Sequence, residues 1–492
     1  MGRMAERFAQ RHDRVRGLVA ACLVMGLPLS VAAQTAPGSA GQNAPAGPPL
    51  QQTPSSQPGA QPTGNLAQSI WDQDTLTGNW GGLRKRLLED GISIGVQEQS
   101  EGWGNMTGGL RQGAVYDGLT TASVKLDLEK LAGWDGASFF VSGYQIHGHG
   151  PSGNLVGNAQ IVSNIEATRD TKLYALWLEQ KLLGGRLTVR LGQEGSNDQM
   201  MITQYGALFL NSSFGFPGLP AADLPSGGPN YPMAAPFVRA QYALSDRFTL
   251  VGAVFTGDPA PPGIGDPQLR DRGGVAFRLN DHVLTFTELW YSVNQEENAK
   301  GLPGTYKLGF WYDSAHVGDQ VFDNTGLPLA NPASNGVPRP HSGDFALYGI
   351  VDQLVWRKPG TKNKGIGLFL QIMGAPAGYN ISNLFIEGGM NWLAPFDGRD
   401  DDVFGLAFSY LGISPAARRY GSALIFYNGT GFPYAGNETV LEATYLYQAT
   451  PWLAVQPDLQ VVINPSAGIP SPVSPVPLKN DLIGGVRVTV TF

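Results

Sequence analysis

A chain of 492 residues with 66 Gly, 36 Pro and only 15% charged residues is too long for one ordinary globular core, and its Gly and aromatic content (10%) does not suit long helices. The formal charge of −7 supplies no basic face for nucleic acid, and no nucleic-acid partner is expected. The single cysteine, Cys22, falls in a targeting segment, so the exported chain would have no disulfide framework, Cys-ligated zinc or cysteine nucleophile.

In chain order, the first element is that targeting segment. Arg14 and Arg16 precede an apolar run from Gly17 to Val31, and Val31-Ala32-Ala33 places small residues before Gln34. Charged region, apolar region and cleavage site read as a signal peptide over residues 1–33. The run is shorter than the ~20 residues of a spanning helix. Val19-Ala20-Ala21-Cys22 loosely imitates a lipidation site. Cleavage there would leave only about five apolar residues after Arg16, against the ~7–15 that export needs. Removing residues 1–33 leaves 28 basic and 38 acidic groups, and a thiol-free chain suits an oxidising periplasm. Residues 34–70 follow as a Pro-, Gln- and Gly-rich leader with no charge before residue 67. It has too little apolar surface to offset its ordering entropy and is expected to be disordered.

From Ile92 to Phe492 one theme repeats: segments of about ten residues alternate in polarity and end in Gly, Pro, Asn or Asp. Ala122, Val124, Leu126 and Leu128 oppose Ser123, Lys125 and Asp127. Leu187, Val189 and Leu191 oppose Arg186, Thr188, Arg190 and Glu194. Tyr306, Leu308, Phe310 and Tyr312 oppose Thr305, Lys307, Gly309, Trp311 and Asp313. Leu384, Ile386, Met390 and Trp392 oppose Asn383, Glu387 and Asn391. Leu453, Val455, Leu459 and Val461 oppose Gln456, Asp458 and Gln460. In the last segment Leu482, Val486, Val488, Val490 and Phe492 oppose Arg487, Thr489 and Thr491.

Seventeen candidate strands start near residues 92, 113, 138, 172, 187, 236, 247, 273, 282, 304, 344, 365, 383, 403, 439, 452 and 482. Bacterial barrels use an even number, so one assignment is wrong or one strand is missed. Two long Gly-, Pro- and Asn-rich gaps, Gly195 to Ala235 and Asp313 to Asp344, are expected to be extracellular loops. A soluble sandwich also alternates. Export, the absence of cysteine and charges at strand centres favour a transmembrane antiparallel β-barrel of 16–18 strands with a wet lumen.

Specific stretches carry a resemblance. TGNWGGLR from Thr77, followed by KRLLEDGI, resembles the N-terminal helix motif of OprB-type carbohydrate-selective porins. The stretch from Gly185 to Gly215 resembles their strand and inward loop. YKLGFWYDS, DFALYGIVDQLVW and LEATYLYQATPWLAVQPDLQVVINP follow in the family's order. The resemblance covers roughly residues 71–492, and the Pro-rich leader departs from it. It implies a mostly monomeric barrel of about 16 strands that passes mono- and disaccharides by diffusion, with no cofactor and no enzymatic activity. The terminal Phe492 looks like the signal read by the barrel-assembly machinery, and outer-membrane lipid and lipopolysaccharide would surround the wall.

A sugar presents hydroxyls at its edge and C–H bonds on its faces. A selective lumen therefore needs charged or amide groups to exchange hydrogen bonds and aromatic rings to stack, at weak affinity. The candidates are Arg190, Glu194, Arg239, Gln241, Lys307, Trp311, Asp313, Glu387, Gln456, Asp458 and Gln460, with Trp103, Trp177 and Glu179 as secondary additions. The plain alternative is that these charges pair across the wall and keep the barrel round. His147 and His149 share a strand face but lack a third ligand nearby in sequence, so they read as loop rim. Asp397 and Asp400 to Asp402 (DGRDDD) lack the spacing of a calcium loop and read as a turn. Other readings are a porin for polyols, sugar acids or other small polar solutes, an outer-membrane enzyme, and an adhesin or structural barrel.

Overall fold

The computed structural model describes residues 69–296, 299–429, 433–469 and 476–492. The signal peptide, Cys22 and almost all of the leader lie outside the described residues. The rest forms one closed antiparallel barrel of sixteen strands in sequence order. They are β1 (Ile92–Thr107), β2 (Gly113–Asp127), β3 (Ala137–Gly148), β4 (Asp170–Leu182), β5 (Leu187–Glu194), β6 (Ala235–Ala243), β7 (Phe248–Thr256), β8 (Val283–Val293), β9 (Gly304–Asp323), β10 (Pro338–Arg357), β11 (Gly365–Gly374), β12 (Ser382–Leu393), β13 (Val403–Ile413), β14 (Asn437–Thr450), β15 (Leu453–Ile463) and β16 (Asp481–Thr491). β16 closes on β1 from Gln97↔Thr491 to Asn105↔Ile483, so no edge is left for lipid to desolvate. The period-two reading holds. Leu308, Leu347 and Val238 are 67, 59 and 53% exposed on the outer wall, while Glu288, Glu387, Glu438 and Gln460 are buried inside.

The first described residues and the end of β16 lie at the end of the barrel with the shorter connections, which in such barrels is periplasmic. The GNWGG turn there leads into helix α1 (Leu83–Glu89), and Gly81 and Gly82 take the positive φ values (65° and 94°) this turn requires. Arg84 of α1 is buried, stacks over Trp80 (4.2 Å) and donates to the carbonyl of Phe492 at 2.7 Å. Leu76 N donates to Thr491 O and Phe492 N to Val96 O. The motif that carries the resemblance thus clamps the final strand where the barrel closes.

Two expectations are corrected. The candidate strand near 273 is part of the connection between β7 and β8. Arg278 draws this segment onto Asp258 O and ion-pairs with Asp281 at 2.8 Å. Val275, Phe277 and Leu279 alternate and are exposed, but they join no ladder. Their polarity pattern copies that of a strand without its hydrogen bonds. The stretch from Asp313 to Asp344 is mostly hairpin rather than loop, because β9 and β10 stay paired out to Asp323↔Pro338. The turn is held by the Asp323 carboxylate, which accepts from Thr325 N and Leu327 N (both 2.9 Å) and Ser334 Oγ (2.8 Å).

Candidate functional site

Two extracellular loops fold inward: L2 (residues 149–169) and L3 (residues 195–234). They bond to each other through Asn164 N to Leu210 O (2.7 Å) and Ser212 N to Ile161 O (2.8 Å). Wall carboxylates hold both by their main chain. Glu438 accepts from Ala159 N and Gln160 N (2.8 and 2.7 Å), and Glu442 from Leu210 N and Asn211 N (2.6 and 3.1 Å). Glu288 accepts from Met201 N (2.8 Å) and Asp352 from Tyr205 N (3.2 Å). Each bond satisfies a buried main-chain N–H that would be costly to leave without a partner. The Tyr205 ring fills the space over Gly367, where any side chain would collide with it. Leu208, Phe209 and Phe214 pack with Phe369 and Val403. Within L2, Glu166 accepts from Ser152 N and Gly153 N (3.0 and 3.3 Å), yet burial pushes its carboxyl up to about 7. The loops therefore bond to the wall from β8 round to β15, and they also reach the other strands: Asn105 donates to Leu155 O (3.4 Å), Tyr231 packs on Tyr144 (5.5 Å) and Asn197 accepts from Tyr174 (3.1 Å).

A second group is built on β4 to β9. Glu179, Arg190 and Arg239 stand directly opposite one another on β4, β5 and β6, and the same row continues through Ala253 and Phe286 to Trp311. Arg190 is a clamp. Its Nη2 donates to Glu179 Oε2 at 2.7 Å and its Nη1 to Glu194 Oε2 at 3.1 Å, while the guanidinium lies 3.9 Å from the centre of the Trp177 ring. Trp177 Nε1 donates to Glu194 Oε1 (3.1 Å), and Phe140 stacks on the ring at 4.9 Å. Arg239 Nη2 donates to Gln241 Oε1 at 2.7 Å. Glu194 is fully buried, whereas Glu179 and Arg190 keep 14% of their side-chain surface exposed. Two inward rows nearer the periplasm on β8, Trp290 is half-buried, donates to Glu288 Oε2 at 2.5 Å and has Lys307 Nζ 4.8 Å from its ring centre.

The sequence candidates thus separate into groups. Arg190, Glu194, Arg239 and Gln241, with Trp177 and Glu179, come together on β4 to β6. Lys307 lies further round on β9 and donates to Ile202 O of L3 at 2.6 Å. Gln456 donates to Leu208 O (2.9 Å) and Gln460 to Val162 O (3.0 Å), so both serve as loop anchors. Asp458 accepts from Gln460 beneath the same loops. Trp311 is fully buried in the cluster that includes Phe286, Met200 and Met201. Asp313 is buried, accepts from Ala315 N and lies 3.4 Å from His282. Glu387 is sealed in the wall opposite Gln371 and Ser409. Trp103 donates to Glu101, which pairs with Arg487: a second Arg–Glu–Trp group on β1 and β16.

Sequence reasoning passed over Glu288, Trp290, Asp352, Glu438 and Glu442. Their signal was the inward parity already used for their neighbours. In β1 and β8 a further one was present: Glu101-x-Trp103 and Glu288-x-Trp290 place an indole N–H on the same face as the acid that accepts from it. Asp397 to Asp402 do form the β12–β13 turn, in which Arg399 pairs with Asp402 at 2.6 Å. Among the described residues no cluster of three or more His, Cys, Asp or Glu is placed to hold a metal.

The sequence pattern described as "Carbohydrate-selective porin, OprB family" matches residues 111–492. Porin B of Pseudomonas aeruginosa is 24% identical over 435 residues, covering 85% of this chain and 91% of its own. A putative porin, QuiX, of Acinetobacter baylyi is 21% identical, covering 82% of this chain and 91% of its own. The high-pH structure of Pseudomonas putida OprB superposes with a TM-score of 0.76 at 22% identity, covering 86% of this chain and all of the other, which shows the shared fold. With a closed sixteen-stranded wall, a polar lumen narrowed by inward loops and a family match over most of its length, the chain belongs to the OprB family of carbohydrate-selective porins.

Proposed function

We propose that the chain passes small sugars of glucose-like mono- and disaccharide size passively across the outer membrane, through the lumen that L2 and L3 narrow. The observation that carries this reading is the polar group on the inward faces of β4 to β9. Arg190, Glu179, Arg239 and Gln241 offer donors and acceptors on β4 to β6, and Lys307 lies 4.8 Å from the half-buried Trp290 ring. Hydroxyls exchange hydrogen bonds with the charged rim, while a C–H face slides over the indole. Arg190 and Glu179 already satisfy each other, so a sugar replaces existing bonds rather than filling empty ones. This keeps binding weak enough for release.

Trp177 cannot serve as the stacking platform, because Arg190 covers one face and Phe140 the other. Arg239 stands beside Arg190 in the same row, and this adjacency favours a second reading in which sugar acids are also admitted. Liposome swelling separates the two. Reconstituted vesicles should swell quickly in isosmotic arabinose and glucose and more slowly in sucrose. Swelling in gluconate faster than in glucose would favour the second reading, and none in any sugar would reject both.

In the same proposal, residues 1–33 direct export and are removed, and residues 34–70 form a leader on the periplasmic side. The chain enters that side beside Trp452, which stacks with Trp71 and donates to Ile70 O at 2.8 Å. Phe492, at the end of β16, is the residue offered to the barrel-assembly machinery. Outer-membrane lipid and lipopolysaccharide contact the apolar outer positions.

A further inference from the structure

Where β1 and β16 reach the extracellular end, buried oxygen atoms lack partners. Asn105 and Asp481 face inward there and are 4 and 2% exposed. Neither carboxylate oxygen of Asp481 has a hydrogen-bond partner, and Asn105 Oδ1 has none either. The carboxylate lies beside the Asn105 amide, and no Lys or Arg among the described residues is bonded to it. The charge that acts on it is another acid, Glu438, already committed to Ala159 N, Gln160 N and Ser466 N.

Around the amide nitrogen the imbalance is reversed. Asn105 Nδ2 lies 3.3 Å from Gly108 O, 3.1 Å from Arg111 O and 3.4 Å from Leu155 O. An amide –NH2 has only two hydrogens, so it cannot serve three carbonyls. Leu155 O also accepts from Leu110 N and Arg111 N at 2.8 and 3.0 Å, which fills it. Of the three, Gly108 O and Arg111 O are left, and a half-turn of the amide would set Oδ1 beside both. The connecting loop L1 (residues 108–112) is pressed onto this spot. Gly108 and Gly109 take φ values of 68° and 60°. A side chain at Gly108 would collide with Asn480 O, and one at Gly109 with Asp481 Oδ1 and Leu155 O.

We propose that Asp481, Asn105 and the carbonyls of Gly108 and Arg111 bind a calcium ion. Calcium takes about 6–8 oxygen donors, mixing carboxylate, amide and main-chain carbonyl with water. Here a carboxylate with two open oxygens, an amide oxygen and two carbonyls converge, and water completes the shell. The donors are one carboxylate, one amide and main chain rather than a cluster of acids. A bridging water alone would satisfy the hydrogen-bond deficit but leave a carboxylate charge buried near Glu438 without a counter-charge. No imidazole or thiolate is among the donors, as a transition metal would prefer. Gly108 and Gly109 are half-exposed and Arg111 is exposed, so the ion enters from the outside medium. It ties β1, L1 and β16 together. Through Leu155 it steadies the base of L2, one of the two loops that narrow the lumen. This holds whichever solute the pore passes.

The test uses the purified full chain in detergent after treatment with a chelator. Terbium(III), which takes the same oxygen donors, should give indole-sensitised emission, because Trp103 lies two residues from Asn105 on the same face of β1. The emission should saturate at one ion per chain and be displaced by calcium. Asp481→Asn should weaken binding about ten-fold or more, and Asn105→Asp, which adds a carboxylate, should tighten it severalfold. Calcium should also slow tryptic cleavage at Arg111, the basic residue of L1, in the parent and not in Asp481→Asn. The exposed acids Asp397 and Asp401 are the control. Emission that Asp397→Asn with Asp401→Asn abolishes and Asp481→Asn preserves would mean an adventitious ion only and overturn the proposal. An Asn105→Asp chain that binds no more tightly than the parent would do the same. So would a parent with no saturable emission and no calcium effect on cleavage at Arg111.

Discussion

Arg190→Ala channels should need roughly ten-fold more glucose for half-block of their ion current, equivalent to about 1.4 kcal/mol of binding. Arg190 alone bridges Glu179 on β4 and Glu194 on its own strand, and its guanidinium also covers Trp177. Removing it leaves Glu194 buried with a single remaining donor, the Trp177 indole at 3.1 Å. Breaking a buried pair from one side costs about 3–5 kcal/mol, so the same variant should also lose heat resistance of the folded band in detergent gels. The two effects separate through Arg190→Lys. A lysine keeps the positive charge but lacks the planar fork that serves two carboxylates at once, so it should recover ion selectivity more fully than sugar block. An Arg190→Ala pore with unchanged glucose block would remove this clamp from the sugar path.

The second large effect concerns the loops. Glu442→Ala should release L3 from β14, raising single-channel conductance severalfold and adding current noise. One carboxylate accepts from two consecutive amides, Leu210 N and Asn211 N. A buried N–H left without a partner costs about 1–3 kcal/mol, and the substitution orphans two of them. L3 contains no Lys or Arg, so trypsin would not report its release, whereas chymotrypsin, with Tyr205, Phe209 and Phe214 available, should cut the variant and spare the parent. Glu442→Gln, which keeps one acceptor, should fall between them. Unchanged conductance and unchanged resistance to chymotrypsin would mean that Glu288, Asp352 and the aromatic packing hold the loop without Glu442.

The barrel was legible in the sequence because lipid and water impose opposite demands on alternate residues. Segments such as Thr305–Asp313 and Leu482–Phe492 could satisfy both only as strands. The same logic misplaced a strand near 273, since Val275, Phe277 and Leu279 alternate on an exposed loop with no ladder behind them. The inward path of L3 was not legible from parity, for a physical reason. From Gln199 to Phe216 the loop carries no charge, and most of what the wall recognises there is main-chain N–H and C=O, which almost any sequence supplies. Arg190, Glu194, Arg239 and Gln241 could be read as one site because they sit on adjacent strands with matching parity. Gln456 and Gln460 had the same parity, yet the loops occupy them, and no strand pattern indicates which part of a lumen a distant loop will cover.

The central claim, a sugar-selective lumen narrowed by inward loops, is tested most directly by titrating glucose onto single channels of the purified protein in a planar bilayer. The account predicts discrete conductance steps whose amplitude falls saturably as glucose is added, and falls less with a polymer too large to enter. Absence of channels, or steps indifferent to saturating glucose, would contradict it.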